Sequence, residues 1–153
     1  MPRFITDRSF TFQNHINREL YDSVISNPVI LYKLSLTNTQ TNLYGESVGG
    51  KDYAAGTQLY ASIEVEDQQV SQEGFGSDVN QTARFGFNRQ HLSNINVYPE
   101  IGDIISWDDR YFEIDNVIEN TKLGGIETYK FGVLCDTHMT RRSRLNIEEM
   151  NRR

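Results

Sequence analysis

Cysteine is all but missing: Cys135 stands alone in 153 residues, so neither an internal disulfide nor a cysteine metal site can form. It lies in the strand-like run 131–135 and reads as a small buried hydrophobe rather than a reactive thiol. No stretch approaches the length of apolar chain needed to cross a bilayer. The first residues, Met-Pro-Arg-Phe-Ile-Thr-Asp-Arg, lack the apolar core of a secretion signal. These absences lead to the expectation of a soluble protein made in a reducing cytoplasm, with no membrane partner.

Catalytic constellations are missing as well. His15, His91 and His138 are too far apart, and too unlike any ligand spacing, for a metal site. Gly74-Phe75-Gly76-Ser77 has the glycines of a phosphate cradle but neither a following helix nor a lysine, so it reads as a mobile loop tip. No Ser-His-Asp or Cys-His arrangement is legible. Glu64, Glu66 and Asp67 set against Asp108 and Asp109 would be the carboxylate set for acid–base work, but any acidic β protein offers such pairs. The residues do not argue for an enzyme, and no catalytic, cofactor or metal role is assigned.

Hydrophobic residues make up 37% of the chain and mean hydropathy is negative. That leaves room for extended loops, or for surface that is buried only on assembly. Eight Tyr, eight Phe and one Trp supply large contact area suited to strands and interfaces. The length suits one domain with a core that needs no staples, and the chain is read as a single unit, 1–153.

Basic residues are scarce in the middle of the chain. Across residues 41–120 fourteen acidic residues face only Lys51, Arg84, Arg89 and Arg110, a balance of −10. Tight binding of phosphates needs Lys and Arg to release counterions, so such a body is a poor nucleic-acid binder. The end is different: across 138–153 Arg141, Arg142, Arg144, Arg152 and Arg153 face Glu148 and Glu149, a balance of +3. This Arg-rich tail can dock on an acidic surface of a neighbour, stay solvated, or act as a nucleic-acid arm.

Periodicity sets the fold class. Ile16, Leu20, Val24 and Ile25 recur at helical spacing, which predicts a helix over about 11–26 with Thr11 or Asn14 as N-cap. Asn27-Pro28 ends it. Residues 29–36 read as a strand, and the polar stretch 37–57 as a long loop. Alternation is clean over 59–65, with Leu59, Ala61, Ile63 and Val65 on one face, and again over 81–88. A second polar loop, 67–80, lies between them, and 90–95 reads as one helical turn. Residues 104–107 and 110–118 flank Asp108-Asp109, the mark of a tight hairpin. A Gly124-Gly125 turn and a strand over 129–137 follow. In the tail, Leu145, Ile147 and Met150 stand at rough helical spacing. The expected class is mainly β: a small antiparallel barrel or sandwich over about 29–137, with an N-terminal helix and two long loops. Phe85, Phe87, Ile104, Trp107, Phe112, Ile114 and Val133 form its expected interior.

The loops carry Tyr44, Tyr53 and Phe75, rings that local structure cannot bury. They either fold back as a lid or insert into a neighbouring subunit. With Arg141, Arg142 and Arg144 they are the candidate interface residues. The competing class, a barrel that binds carbohydrate or single-stranded nucleic acid, would need aromatics beside basic residues in the strands. The body's four cations are too few for that.

Several segments in order carry a resemblance: Leu43-Tyr44-Gly45-Glu46, Ile63-Glu64-Val65-Glu66-Asp67-Gln68, Phe75-Gly76-Ser77-Asp78-Val79-Asn80-Gln81 and Phe85-Gly86-Phe87. Tyr98-Pro99-Glu100-Ile101-Gly102-Asp103-Ile104-Ile105, Tyr111 through Asn120, and Asp136-Thr137-His138-Met139-Thr140-Arg141 complete it. Together, over roughly 43–147, they resemble the neck, or head-completion, proteins of T-even-type contractile-tailed bacteriophages. The resemblance implies a structural virion protein, assembled in the host bacterial cytoplasm and located between capsid and tail. It implies a ring of identical subunits, a hexamer by expectation. The portal or adaptor would lie on the head side, the tail terminator on the other, and double-stranded DNA would pass through the lumen. A tail-terminator or adaptor role in the same connector is the alternative.

Overall fold

The computed structural model describes residues 5–25, 27–35, 43–44, 50–72, 77–142 and 145–147. In chain order, helix α1 (Asp7–Glu19) continues as a π-helical segment (Leu20–Ile25) into β1 (Asn27–Tyr32). Then come β2 (Lys51–Asp52), β3 (Thr57–Val65), β4 (Gln69–Gln72), β5 (Ser77–Asn80), β6 (Thr82–Asn88) and α2 (Arg89–Ile95). After them follow β7 (Ile104–Trp107), β8 (Arg110–Lys122), a 3-10 turn (Leu123–Gly125), β9 (Lys130–Thr140) and β10 (Leu145–Asn146).

The hairpin expected at Asp108-Asp109 is present. Both residues take positive φ, 50° and 57°, as the central pair of a type I′ turn does, and this twist matches that of the flanking strands. Trp107 therefore pairs with Arg110, and Ile105 with Phe112. Six strands close into a barrel in the order β1-β3-β6-β9-β8-β7, every neighbour antiparallel. The protein is mainly β, and closure leaves this sheet without an open edge.

Alternation fills the interior. Leu59 and Ala61, Phe85 and Phe87, Phe112 and Ile114, and Val133 and Cys135 all point in and are at most 1% exposed. The Phe85 and Phe112 rings meet edge to face, with centroids 5.6 Å apart, a geometry worth about 1 kcal/mol beyond area burial. Leu92 of α2 joins this cluster. Burial pushes the Cys135 thiol up to about 12, so the unpaired cysteine is an inert core residue. Past Ile114 the pairing of β8 with β9 shifts register at Asp115; this bulge keeps Val117 on the core side and leaves Asp115 exposed.

The seam between β1 and β7 is buried on both faces. Leu31 and Ile105 pair and point inward, while Ile30, Tyr32 and Ile104 form a second cluster on the outside of the wall. Ile104 is buried as expected, but on this outer face, and Trp107 is only half-buried. Tyr53, Leu145 and Ile147 cover the outer cluster. They are carried by a two-stranded parallel ladder of β2 and β10, Leu145 opposite Lys51 and Asn146 opposite Asp52. Leu145–Asn146 is therefore strand, while Met150, the third residue of the helical spacing, lies outside the described residues. The chain reaches the wall through Gly56, where a Cβ would lie 2.5 Å from Ile30 Cγ2 and 2.8 Å from the Tyr32 ring.

A buried carboxylate ties this seam at its end. Asp103, just before β7, accepts from the backbone N–H of Leu34 at 2.9 Å and of Glu100 at 2.8 Å. It also pairs with the Lys33 ammonium at 2.8 Å. Lys33 donates further to the Tyr98 carbonyl at 2.7 Å and to Glu100 at 2.9 Å. Burial works to lower the Lys33 pKa, but the hydrogen bonds and charges of Asp103 and Glu100 outweigh it and raise it. These contacts turn the chain after Tyr32, so β1 stops short of the expected Leu36.

Three further expectations change. The helix starts at Asp7, capped by Thr6, whose hydroxyl accepts from the Ser9 N–H at 3.4 Å. Thr11 instead donates to the Asp7 carbonyl within the helix. The stretch 67–80 contains the hairpin β4–β5, with Val70 opposite Val79, not a featureless loop. Most of the long loop 37–57 lies outside the described residues, and its end carries β2.

Two substitutions test this account. Phe112→Ala should cost about 3–5 kcal/mol in chemical denaturation, and a loss under about 1 kcal/mol would show that the phase of β8 is wrong. Asp103→Ala should cost on the order of 3 kcal/mol, because it strands two partly buried N–H groups and a partly buried ammonium,. Glu100→Ala, at a side chain 73% exposed, should cost no more than about 1 kcal/mol.

Candidate functional site

Two surfaces stand out once the barrel is in place. The first is the outward face of α1 and its π-helical continuation. Phe12 is 66% exposed, Ile16 42%, Leu20 41% and Val24 71%. In an α-helix each step of four residues advances about 40° round the axis. The wider π turn steps it back, so Val24 returns to the line of Ile16 and Leu20 and the stripe stays continuous. The half-buried positions of this segment are mixed: Phe10, Tyr21 and Ile25 beside Gln13, Asn14 and Asn17. Asn14 Oδ1 and Asn17 Nδ2 are buried there without a hydrogen-bond partner among the described residues. Phe10 stacks on Tyr129 at 4.7 Å between ring centroids, and the Tyr129 hydroxyl donates to Asp7. Tyr21 comes close over Gly86, where a Cβ would lie 2.4 Å from Ser62 Oγ. Of the four residues whose spacing announced a helix, Ile16, Leu20 and Val24 thus face solvent, the reverse of the usual amphipathic placement, while Ile25 is half-buried.

The second surface is acidic. Glu64, Glu66, Asp115 and Asp136 border a cleft of about 340 Å³ on the outer wall of β3, β6, β9 and β8, with Arg84 as the cation among its lining residues. Arg84 Nε donates to Asp136 at 2.7 Å, and that hydrogen bond, then the charge of Asp136, raises the Arg84 pKa. His138 Nδ1 lies 2.8 Å from both oxygens of Asp115. Asp108 and Asp109 are taken up by the β7–β8 turn, so Glu64 and Glu66 are grouped with Asp115 and Asp136 instead. Among the described residues no group of three His, Cys, Asp or Glu is placed to hold a metal ion.

The residues singled out as interface candidates separate. Tyr44 is 90% exposed beside a fully exposed Leu43. Tyr53 is half-buried against the seam of its own barrel; its hydroxyl is buried without a partner among the described residues. Burial there, followed by the charges of Glu113 and Asp103, raises its pKa far above the usual tyrosine value. Arg141 and Arg142 are exposed at the end of β9. They border a cleft of about 360 Å³ with Asp109, Arg110, Tyr111 and Met139. Phe75 and Arg144 lie outside the described residues. The helix stripe was missed as a surface, although Phe12, Ile16, Leu20 and Val24 at steps of four were visible; spacing shows a stripe, not the side it faces.

No known family model matches the chain, and no curated protein does. Among solved structures, a chain from the virion of a native gene transfer agent particle is similar at 13% identity with a TM-score of 0.48. The match covers 74% of this chain and 94% of that one. Among the described residues no helix is long and apolar enough to cross a membrane.

The strap formed by β10 has a measurable role in the lone subunit. Leu145→Ser with Ile147→Ser should cost about 1–3 kcal/mol in urea denaturation, since both side chains are half-buried on an apolar wall. An unchanged midpoint would mean that the strap holds nothing.

Proposed function

We infer that this chain is a structural protein of a phage-type virion connector: a neck subunit that assembles into a ring, completes the filled head and joins it to the tail. The observation that carries the reading is the outward apolar stripe of Phe12, Ile16, Leu20 and Val24 over an inward-facing Asn14 and Asn17. Monomeric proteins rarely leave a continuous apolar strip uncovered, and such strips mark association surfaces. The resemblance of the strand segments to T-even-type neck proteins supplies the kind of assembly.

The acidic wall fits the same reading. Carboxylates lining a lumen repel passing phosphate, so duplex DNA slides rather than sticks. Exposed Tyr44, Arg141 and Arg142 are proposed to meet neighbours in the ring or in the adjoining adaptor and tail-terminator layers, Arg by bidentate pairing with carboxylates. A tail-terminator or adaptor position in the same connector would use the same surfaces. An independent nucleic-acid-binding barrel is disfavoured because its cations are engaged: Arg84 by Asp136, Arg110 by Gln81 and Lys51 by Glu113.

Phe12→Asp with Val24→Asp tests the reading. Both side chains are mostly exposed, so the variant monomer should keep its stability within about 0.5 kcal/mol. In sedimentation runs the native protein should form a closed oligomer at high concentration and the variant should not. If the native chain stays monomeric throughout, or if the variant assembles equally well, the chain is not a ring subunit built on this helix.

A further inference from the structure

The cover over the β1–β7 seam is completed by residues 145–147, which are held to the rest of the fold by a short ladder. Strand β10 meets β2 through two ladder positions. It is fixed further by the Asn146 Nδ2 to Asp52 Oδ1 hydrogen bond of 3.0 Å and by the Tyr53 N–H to Asn146 carbonyl bond of 3.4 Å. Neither β2 nor β10 pairs with a barrel strand. Such a short outlying ladder opens at lower free energy than the barrel beneath it. Yet the wall it covers is strongly apolar: Ile104 is 0% exposed, Tyr32 2% and Ile30 7% with the cover in place. A bare seam is unfavourable, so whatever displaces the strap must match its chemistry.

The segment that matches is residues 145–147 of another copy, because the contacts are the same atom for atom. Resting on the ring reading above, we propose that in the assembled connector the tail of each subunit lies on β2 and the outer seam of the next subunit, exchanging its strap rather than closing it on itself. Exchange of identical elements needs no new complementarity. The four residues between Thr140 and Leu145 let the tail close on its own barrel in the lone subunit, and short hinges of this kind are also where identical elements exchange between copies. The exchange places a residue of one copy in the site of the next, since Leu145 and Ile147 complete an outer cluster that β1 and β7 leave open.

Cysteine crosslinking between β2 and β10 reads this directly. Asp52 and Asn146 are register partners, close enough for a disulfide, and the native Cys135 is buried and stays silent. A chain carrying Asp52→Cys is mixed with a chain carrying Asn146→Cys, the mixture is brought to the concentration at which the native protein assembles, and it is oxidised. Covalent dimers should appear in the mixture and in neither variant alone. A double variant assembled the same way should give a ladder of covalent multimers on a non-reducing gel. If the double variant assembles but yields only internally linked monomers, and the mixture yields no dimer, strap exchange is wrong while the ring reading stands. If the native protein does not assemble, both fall. Should the Asp52 substitution prevent folding, Lys51→Cys with Leu145→Cys probes the same ladder one position along, with the same two outcomes.

Discussion

Closure of the barrel depends on the seam where β1 meets β7, because that contact joins the first strand to the β7–β8 hairpin and is only three residue pairs long. Three pairs of backbone groups cannot by themselves hold a sheet closed against the entropy of the intervening chain. The seam is reinforced on three sides. Leu31 and Ile105 bury into the barrel, Ile30, Tyr32 and Ile104 bury outside it, and Asp103 anchors both strands at one end through Lys33 and Leu34. Most barrel strands here bury one face and wet the other. At this seam both faces are dry, which is why a covering element is required at all.

That requirement explains why one part of the fold could be read from sequence and another could not. The Asp108-Asp109 hairpin and the alternation of β3 and β6 are local: side chains two apart share a face, and turn residues accept positive φ. The same logic placed Phe85, Phe112 and Ile114 correctly. The cover is non-local. Ile104 and Ile105 are adjacent, and nothing in that pair says that one side is met by residues more than forty positions later. Leu145 and Ile147, two apart, carried the strand period, but Met150 made the trio look helical. The β4–β5 hairpin was hidden differently, since Gln69, Ser71 and Gln72 leave almost no apolar alternation around Val70. Lys33 and Asp103 were invisible as a pair because ion pairs have no periodicity.

The site was less legible than the fold for a related reason. A run of Ile16, Leu20 and Val24 declares a helix through its spacing, but which way the stripe turns depends on what the barrel offers it. Close to Tyr21 the wall presents Gly86, Ser62 and Leu134, and under Phe10 it presents the Tyr129 ring. Gly86 lets Tyr21 approach, so the wall takes Tyr21 and Phe10 rather than the stripe of Ile16, Leu20 and Val24. Asn14 and Asn17 are turned in with one amide atom each, Asn14 Oδ1 and Asn17 Nδ2, lacking a partner among the described residues, while Asn17 Oδ1 accepts from Gln13. The acidic cleft shows the opposite case: Glu64 and Glu66 were visible as one face of a strand, but Asp115 joins them only because the β8 bulge leaves it exposed.

These features assign different work to different walls of one barrel. The helix stripe is apolar and continuous, the β3–β6–β9–β8 wall is acidic, and the β1–β7 seam is apolar but covered. A ring subunit needs that division, because a surface that sticks to neighbours and a surface that repels DNA cannot be the same one. It also needs the covered seam to stay covered while subunits are still free, or the exposed isoleucines would associate in any order. A strap from the subunit's own tail meets that need before assembly, since its effective concentration at the seam far exceeds that of any free copy. Were subunits to stand side by side, as in the proposed ring, that advantage would shrink. On that proposal the weak two-pair ladder is a functional property: strong enough to mask the seam in the monomer, and loose enough to be handed on.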